Sequence, residues 1–457
     1  MNDKGENETA GRQSLSDCAV ADGRKLLHLL SDGRFDELIK LEAEYYFRHI
    51  RSSETAENHS LHYSFLSPIL QRYGLDLKDA MDPAPSDNAV SGRSICFFLP
   101  SLDNDYIHVE LLANILDKLA SQSAIKLYIA GFSRSQTEIG SKFIASLSHS
   151  NRADLYMIGE DHASLLRFLD WFKSSSINLL ACYSIPRLLP AFLEALGPKN
   201  VTWMPTKFEL SSFSKLDYVV SGFGKKFFSE TIGSTTWYRI PATLPKRYLF
   251  QYRLKPARLI RIITINREEK IRNSGYLESI IPVLKTDSDT HFFWTGRYWD
   301  SKIRAMFHQA GLEARHTHVG WLEHQSALPK YDIFADTFGL SGTVAAAAFA
   351  SGMPTLFARG SESWLEAVER EIISTGQDHN SDLLKNIQRC IADSAKDYAQ
   401  KLTYLIDSVR AETFDGLWQI ELAERWFMNE EQQATQYERV FQQIFLAQER
   451  EPAARGR

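Results

Sequence analysis

Cysteine is scarce in this 457-residue chain: Cys18, Cys96, Cys182 and Cys390 lie far apart, with no CxxC or CxxH pair among them. That spacing excludes a disulfide scaffold and a zinc ribbon, and it suits a reducing compartment. Long apolar runs are missing as well. The longest, Val344 to Ala350, falls far short of the roughly 20 residues a membrane-crossing helix needs. Met1 to Asp17 is polar and acidic, with nothing that reads as a signal peptide. Basic charge is not in excess either. Lys plus Arg number 52 against 57 Asp plus Glu, a net charge of −5, which makes nucleic acid a poor partner. These absences predict a cytoplasmic protein with no transmembrane segment, and they leave its oligomeric state open.

What is present is ordinary in bulk. Hydrophobic residues make up 44% and charged residues 24%, which is globular composition rather than disordered or collagen-like. At roughly 150 residues per domain the length predicts two or three domains. Aromatics stand out at 12%, with nine Trp and 27 Phe.

The chain changes texture along its length. Residues 1–23 read as a polar, disordered tail, and 24–80 as a helical module with Leu26, Leu29, Leu30, Phe35, Leu38, Ile39 and Leu41 at helical spacing. The segment Asp79 to Gly92 (DAMDPAPSDNAVSG) reads as a linker. From 93 to 240 short apolar runs alternate with amphipathic helices: Ser94–Pro100, Ile125–Ala130, Leu155–Ile158, Ile177–Cys182 and Tyr218–Val220. That alternation predicts a doubly wound, parallel α/β domain. Three prolines between Pro241 and Pro256 mark a connection, and the alternation restarts over 257–415. There the expected strands are Leu259–Ile265, His291–Thr295, His316–Val319, Asp332–Ala335 and Thr355–Phe357. Residues 416–447 are predicted helical, with Tyr437, Val440, Phe441, Ile444 and Phe445 as an apolar stripe that packs back across the domains. In such sheets ligands bind beyond the carboxyl ends of the strands, so two α/β domains in tandem suit an enzyme that closes on its substrate.

Two segments carry the chemistry. In YDIFADTFGLSGTVAAAAFASGMPTL (Tyr331 to Leu356), a strand ends at Asp336-Thr337 and a glycine-containing loop opens a helix of small residues. Ser341 or Thr343 is placed to cap that helix, and a helix N-terminus beside glycine suits a diphosphate. An ordinary strand–loop–helix turn would look similar. The other segment, Thr264 to Arg272, follows the first strand of the same domain. It carries Asn266 and Lys270, and a lysine there would neutralise the phosphates of a departing nucleotide. A solvated charged loop is the plainer alternative. His108, with Asp103 and Asp105 close in sequence, sits at the first strand–loop–helix junction, where a histidine could deprotonate a hydroxyl nucleophile. Asp103-Asn104-Asp105 also has the D-x-D form of a metal–nucleotide motif, and His316-Thr317-His318 has the spacing of a metal pair with no third ligand. Strand-end aromatics Trp294, Tyr298, Trp299 and Trp321 are candidates for stacking on a base or a sugar.

As an ordered set, residues 93–447 resemble glycosyltransferase family 41: the O-GlcNAc transferases and the bacterial cytoplasmic N-glucosyltransferases that modify adhesins. The resemblance runs through Lys270 after a strand and polar loop, HFFWTGR (His291–Arg297) and Gly320-Trp321-Leu322-Glu323-His324. It continues with Asp332 and Asp336-Thr337 in a D-x-x-x-D-T pattern, then Gly342-Thr343. More loosely, Leu99–Leu116 and Leu216–Leu244 are similar to the family's first domain. Two positions depart from the family: Ala347 stands where it has a ribose-holding Asp, and Gly197 to Lys207 contains no His.

The resemblance implies a GT-B fold, with an N-terminal acceptor domain over 93–240 and a C-terminal donor domain over 257–415. It implies a nucleotide-sugar donor of the UDP-hexose kind as substrate rather than cofactor, a protein acceptor, and no metal requirement. Asn266, Lys270, Gly296, His324, Asp336, Ser341, Gly342 and Thr343 would then be the donor contacts, and His108, Asp105 and Lys270 the catalytic residues. A glycan or lipid-linked acceptor, or a catalytically silent partner-binding homologue, are the alternatives.

Overall fold

The computed structural model describes residues 16–50, 56–81, 92–103, 107–134, 138–183, 187–205, 216–224, 228–241, 243–244, 246–255, 258–273, 275–296, 298–338, 342–360, 363–375, 382–428 and 430–450. The chain divides into two compact units. One runs from Met1 to Pro241 and is completed by Glu431–Arg457, and the other spans Ala242–Glu430.

The first unit is built on an eight-stranded sheet. Its strands are β1 (Ser94–Leu99), β2 (Lys126–Phe132), β3 (Asp154–Ile158), β4 (Leu179–Tyr183), β5 (Val201–Met204), β6 (Tyr218–Gly224), β7 (Phe228–Ile232) and β8 (Thr235–Pro241). The order is β3-β2-β1-β4-β5-β6-β8-β7, with all neighbours parallel except the β7–β8 hairpin at the edge. All six residues of β1 are buried, as a central parallel strand covered on both faces requires.

Alternation along β1 separates two cores. Cys96 and Phe98 face a core shared with Leu26, Leu38, Leu70 and Leu77 of the N-terminal helices. Ile95, Phe97 and Leu99 face another, shared with Leu112 and Leu116 and with Tyr437, Val440, Phe441 and Ile444 of the last helix. The N-terminal helices are therefore one cover of the sheet rather than a free-standing module. Each buried leucine contributes about 1.5–3 kcal/mol. An ion pair sits in that contact: Arg187 Nε donates to Glu42 Oε2 at 2.9 Å, with both side chains 1% exposed.

Three sequence expectations change here. Residues 17–23 are helical, because Ser16 caps the helix Asp17–Ser31 by accepting from the Ala19 N–H. The segment 56–80 is helical to Ala80, inside the expected linker, and most of the remainder of that linker lies outside the described residues. The helical end of the chain is two elements: Leu417–Phe427 lies in the second unit, and nearly all of Glu430–Arg450 in the first.

The second unit holds β9 (Ile260–Thr264), β10 (Thr290–Trp294), β11 (His316–His318), β12 (Ile333–Ala335), β13 (Thr355–Ala358) and β14 (Ile391–Ala392). The order is β11-β10-β9-β12-β13-β14 and every pair is parallel. Numbered within each unit, both sheets run 3-2-1-4-5 from one edge, the Rossmann order, with its switch point between the first and fourth strands. The helix Thr343–Ala350 is buried over Ala345–Ala350. Its partner helix Leu417–Phe427 approaches closely: a side chain on Gly416 would clash with the Gly352 carbonyl oxygen. Phe349 closes that contact edge-on against Trp418, with ring centroids 5.4 Å apart. Among the described residues no helix is long and apolar enough to cross a membrane.

Candidate functional site

In the second unit the switch point lies between β9 and β12, so the loops leaving these strands and β10 form the crevice. Asn266, two residues past β9, joins two of them. Its side-chain amide donates to Asp336 Oδ1 at 3.0 Å, just past β12. Its backbone N–H donates to Thr295 Oγ1 at 3.0 Å, and that hydroxyl donates back to the Asn266 carbonyl at 3.0 Å.

Asp336 is 1% exposed, and its Oδ1 also accepts the Thr337 N–H at 2.9 Å. Behind it, the Tyr398 hydroxyl donates to the Asp336 carbonyl at 2.6 Å, and Tyr276 to the Ala335 carbonyl at 2.9 Å. Burial pushes both phenols well above their ordinary range, so they stay neutral donors. Gly296 stands close against its neighbour: a Cβ there would come within 2.8 Å of the buried Glu268 carboxylate and displace it. Of the residues expected from the sequence, the fold brings Asn266, Gly296 and Asp336 to these strand ends. Thr295, Tyr276 and Tyr398, which support them, were not among those expected. Thr295 borders Gly296 in sequence, whereas Tyr398 comes from a helix 62 residues beyond Asp336 and carries no local signal.

The helix expected to receive a diphosphate starts at Thr343. Its N-cap is Gly342, not Ser341 or Thr343, and no side chain caps it. Among the described residues, no atom lies within 4 Å of where a Cβ on Gly342 would stand. First-turn N–H groups thus face a side that a ligand can approach. Thr343 is half-buried, and Ser341 lies outside the described residues. Lys270 is half-buried on the short helix Glu268–Asn273 that follows β9. His324 opens the helix His324–Ala327, its ring tilted against Tyr248 at 5.6 Å. In the first unit His108 lies in the first turn of the helix Ile107–Gln122, its side chain outside the described residues, as is Asp105 altogether.

Other expected residues turn out to be structural. Asp332 precedes β12, at the opposite end of the strand from Asp336. Its Oδ2 accepts the Arg261 N–H at 2.7 Å while its own N–H donates to the Arg261 carbonyl, which locks the start of β12 to β9. Asp103 accepts from the Ser133 hydroxyl at 2.9 Å and from the Arg134 N–H, so its carboxylate ties the loop after β1 to the end of β2. His316 accepts from the Trp294 indole at 3.2 Å and stacks on Phe307, and His318 lies against Trp294 and the Gly296 carbonyl. These histidines are core and loop supports rather than a metal pair. Burial and the neighbouring His291 push His316 below its ordinary value of 6.5. Trp294 is fully buried, which removes it from the ligand candidates, whereas Tyr298, Trp299 and Trp321 are exposed. Ala347 is fully buried too, so the position compared with a ribose-holding acid is a packing position here.

No protein-family model matches the chain, and no curated protein sequence matches it. Solved structures do. An O-GlcNAc transferase mutant from Thermobaculum terrenum aligns over 93% of this chain and 84% of its own, at 13% identity and a TM-score of 0.57. A glycosyltransferase from Rickettsia africae aligns over 78% of this chain and 99% of its own, at 11% identity and a TM-score of 0.54. An Anabaena protein solved in complex with UDP and glucose aligns over 77% and 98%, at 10% identity and a TM-score of 0.51. Two Rossmann-ordered parallel sheets and a long C-terminal helix are what these comparisons share. The chain has the GT-B fold. In GT-B terms, the gathered loops after β9, β10 and β12 belong to the C-terminal Rossmann-like unit.

Proposed function

We propose that this protein is a glycosyltransferase that moves a hexose or N-acetylhexosamine from a UDP-sugar to a protein side chain in the cytoplasm. The observation that carries the reading is the pairing, on one strand-to-helix connection, of the Asn266–Asp336 clasp with the open helix start at Gly342. The UDP and glucose in the Anabaena structure support a nucleotide-sugar donor, and the likeness to an O-GlcNAc transferase supports a protein acceptor.

In this reading the diphosphate lies on the N–H groups at Ser341, Gly342 and Thr343, and His324 lies near the nucleotide. The bond between the anomeric carbon and the phosphate oxygen breaks as the acceptor oxygen or nitrogen bonds to that carbon. Lys270 and the helix N-terminus stabilise the charge that collects on the departing diphosphate, in the role a divalent ion fills in other enzymes. His108, assisted by Asp105, takes the acceptor's proton.

The test is release of UDP from UDP-hexoses by wild type and Lys270→Ala. The reading expects a loss of about 10²–10³-fold in the variant, the usual scale for removing one charge-stabilising group. Equal turnover in the two proteins would remove Lys270 from the mechanism, and no turnover or binding with any nucleotide sugar would favour a catalytically silent, partner-binding protein. Intact-mass measurement of co-expressed proteins separates a protein acceptor, which gains a hexose increment, from a glycan or lipid-linked one.

A further inference from the structure

Far from the donor loops in sequence, the N-terminal helices bring together one thiol, one carboxylate and one imidazole. Cys18 and Asp22 lie one turn apart on the helix Asp17–Ser31, and His49 comes from the widened π turn Tyr46–Ile50. One ligand atom from each lies within 4.8 Å of the other two. The widened turn lets consecutive residues reach one point: Arg48 Nη1 and His49 Nε2 approach the same Asp22 oxygen at 3.0 and 2.9 Å. Turns of this type recur at functional sites. His49 is 8% exposed, and its ring is fixed against Tyr45 and His62, with centroids 4.8 and 5.6 Å away.

We propose that Cys18, Asp22 and His49 form a Zn2+ site that ties the first helix to the turn at 46–50. The donor set is the argument. A thiolate with an imidazole and a carboxylate selects Zn2+ over the hard cations Mg2+ and Ca2+, which take oxygen ligands. Ligand bonds of about 2.0–2.3 Å require the metal to replace the direct His49–Asp22 hydrogen bond and the Cys18 sulfur to close on that pair, and the exposed Cys18 side chain has the freedom to do so. Three protein ligands leave the fourth tetrahedral position to water.

Arg48 supports the carboxylate as a hydrogen-bond partner, as ligating carboxylates are commonly supported, and Glu44, 3.7 Å from its other nitrogen, helps hold it. On binding, the Cys18 thiol gives its proton to solvent and the imidazole binds as the neutral ring. The plain alternative is an Asp22–Arg48–His49 polar cluster with a bystander cysteine.

Cys18 is the exposed cysteine while Cys96, Cys182 and Cys390 are buried, so alkylation of the folded, reduced full-length chain reports on it. Zn2+ is expected to slow iodoacetamide modification of Cys18 by an order of magnitude in wild type, and Mg2+ to leave it unchanged. Asp22→Asn and His49→Gln should each restore the metal-free rate. Co2+ should give a thiolate charge-transfer absorption in wild type that is absent in Cys18→Ser, an exposed substitution that spares the fold. The proposal is overturned by unchanged alkylation in Zn2+, by equal protection in Asp22→Asn and His49→Gln, or by a Co2+ band that survives Cys18→Ser.

Discussion

Replacing Asn266 by alanine tests whether the loops after β9 and β12 are held together as the structure indicates. The substitution keeps the backbone N–H that donates to Thr295 and removes the amide, which donates to Asp336 Oδ1 at 3.0 Å and, at a long 3.5 Å, to the Thr264 hydroxyl. Asp336 is 1% exposed, so no solvent replaces the lost donor. A hydrogen bond to a charged group contributes about 1.5–3 kcal/mol. A destabilisation near 2 kcal/mol lowers the melting temperature of a unit this size by about 4–8 °C. Urea denaturation followed by tryptophan fluorescence measures it, with an unchanged m-value showing that only stability moved. Asn266→Asp provides the internal control. Two carboxylates about 3 Å apart cannot both ionise, so that variant should be less stable than alanine at neutral pH and recover on acidification. Stability within about 0.5 kcal/mol of wild type for Asn266→Ala, or no pH dependence in Asn266→Asp, would refute the clasp.

Further outcomes follow from other parts of the molecule. Burial, with Arg315 nearby, pushes His291 below its ordinary value of 6.5, and burial does the same to His316. The unfolded chain then binds more protons in the window below 6.5, so stability is fully present above that value and declines as pH falls toward the lowered values. Melting curves between pH 7 and 5 should show the decline, smaller in His291→Gln. In the first unit, Arg187→Met leaves the buried Glu42 carboxylate without its guanidinium and should cost about 3–5 kcal/mol, whereas the double change Glu42→Leu/Arg187→Met should recover most of it. Chemical denaturation of the three proteins gives the comparison.

The alternating texture of strands and helices was legible because buried parallel strands such as SICFFL are apolar on both faces. What covers those faces was not. The stripe of Leu26, Leu29 and Leu38 announces an amphipathic helix but says nothing of the sheet it packs on. The helix start at Asp17 was hidden because a capped first turn is as polar as a tail. Around the candidate site, Asn266, Gly296 and Asp336 stood out because each lies within two residues of a strand's carboxyl end. Asp332 shares the D-x-x-x-D-T pattern with Asp336, but it stands at the other end of a three-residue strand, where it serves register. Trp294 was drawn into the ligand set by its place at a strand end, yet strand alternation turns it inward onto His316. Tyr276 and Tyr398 act through long-range hydroxyls, which no local pattern records.

The central claim is that the open helix start at Gly342 receives a nucleotide diphosphate, and Gly342→Asp tests it most directly. The position has extended backbone with no described residue crowding it, and aspartate is a favoured N-cap, so the fold should be unharmed or slightly stabilised. The added carboxylate would occupy the N–H groups and repel phosphate. Calorimetry with UDP should show binding to wild type and a loss of at least about tenfold in the variant, or about 1.4 kcal/mol, with the melting temperature unchanged or raised. Equal UDP affinity in the two proteins would contradict the account.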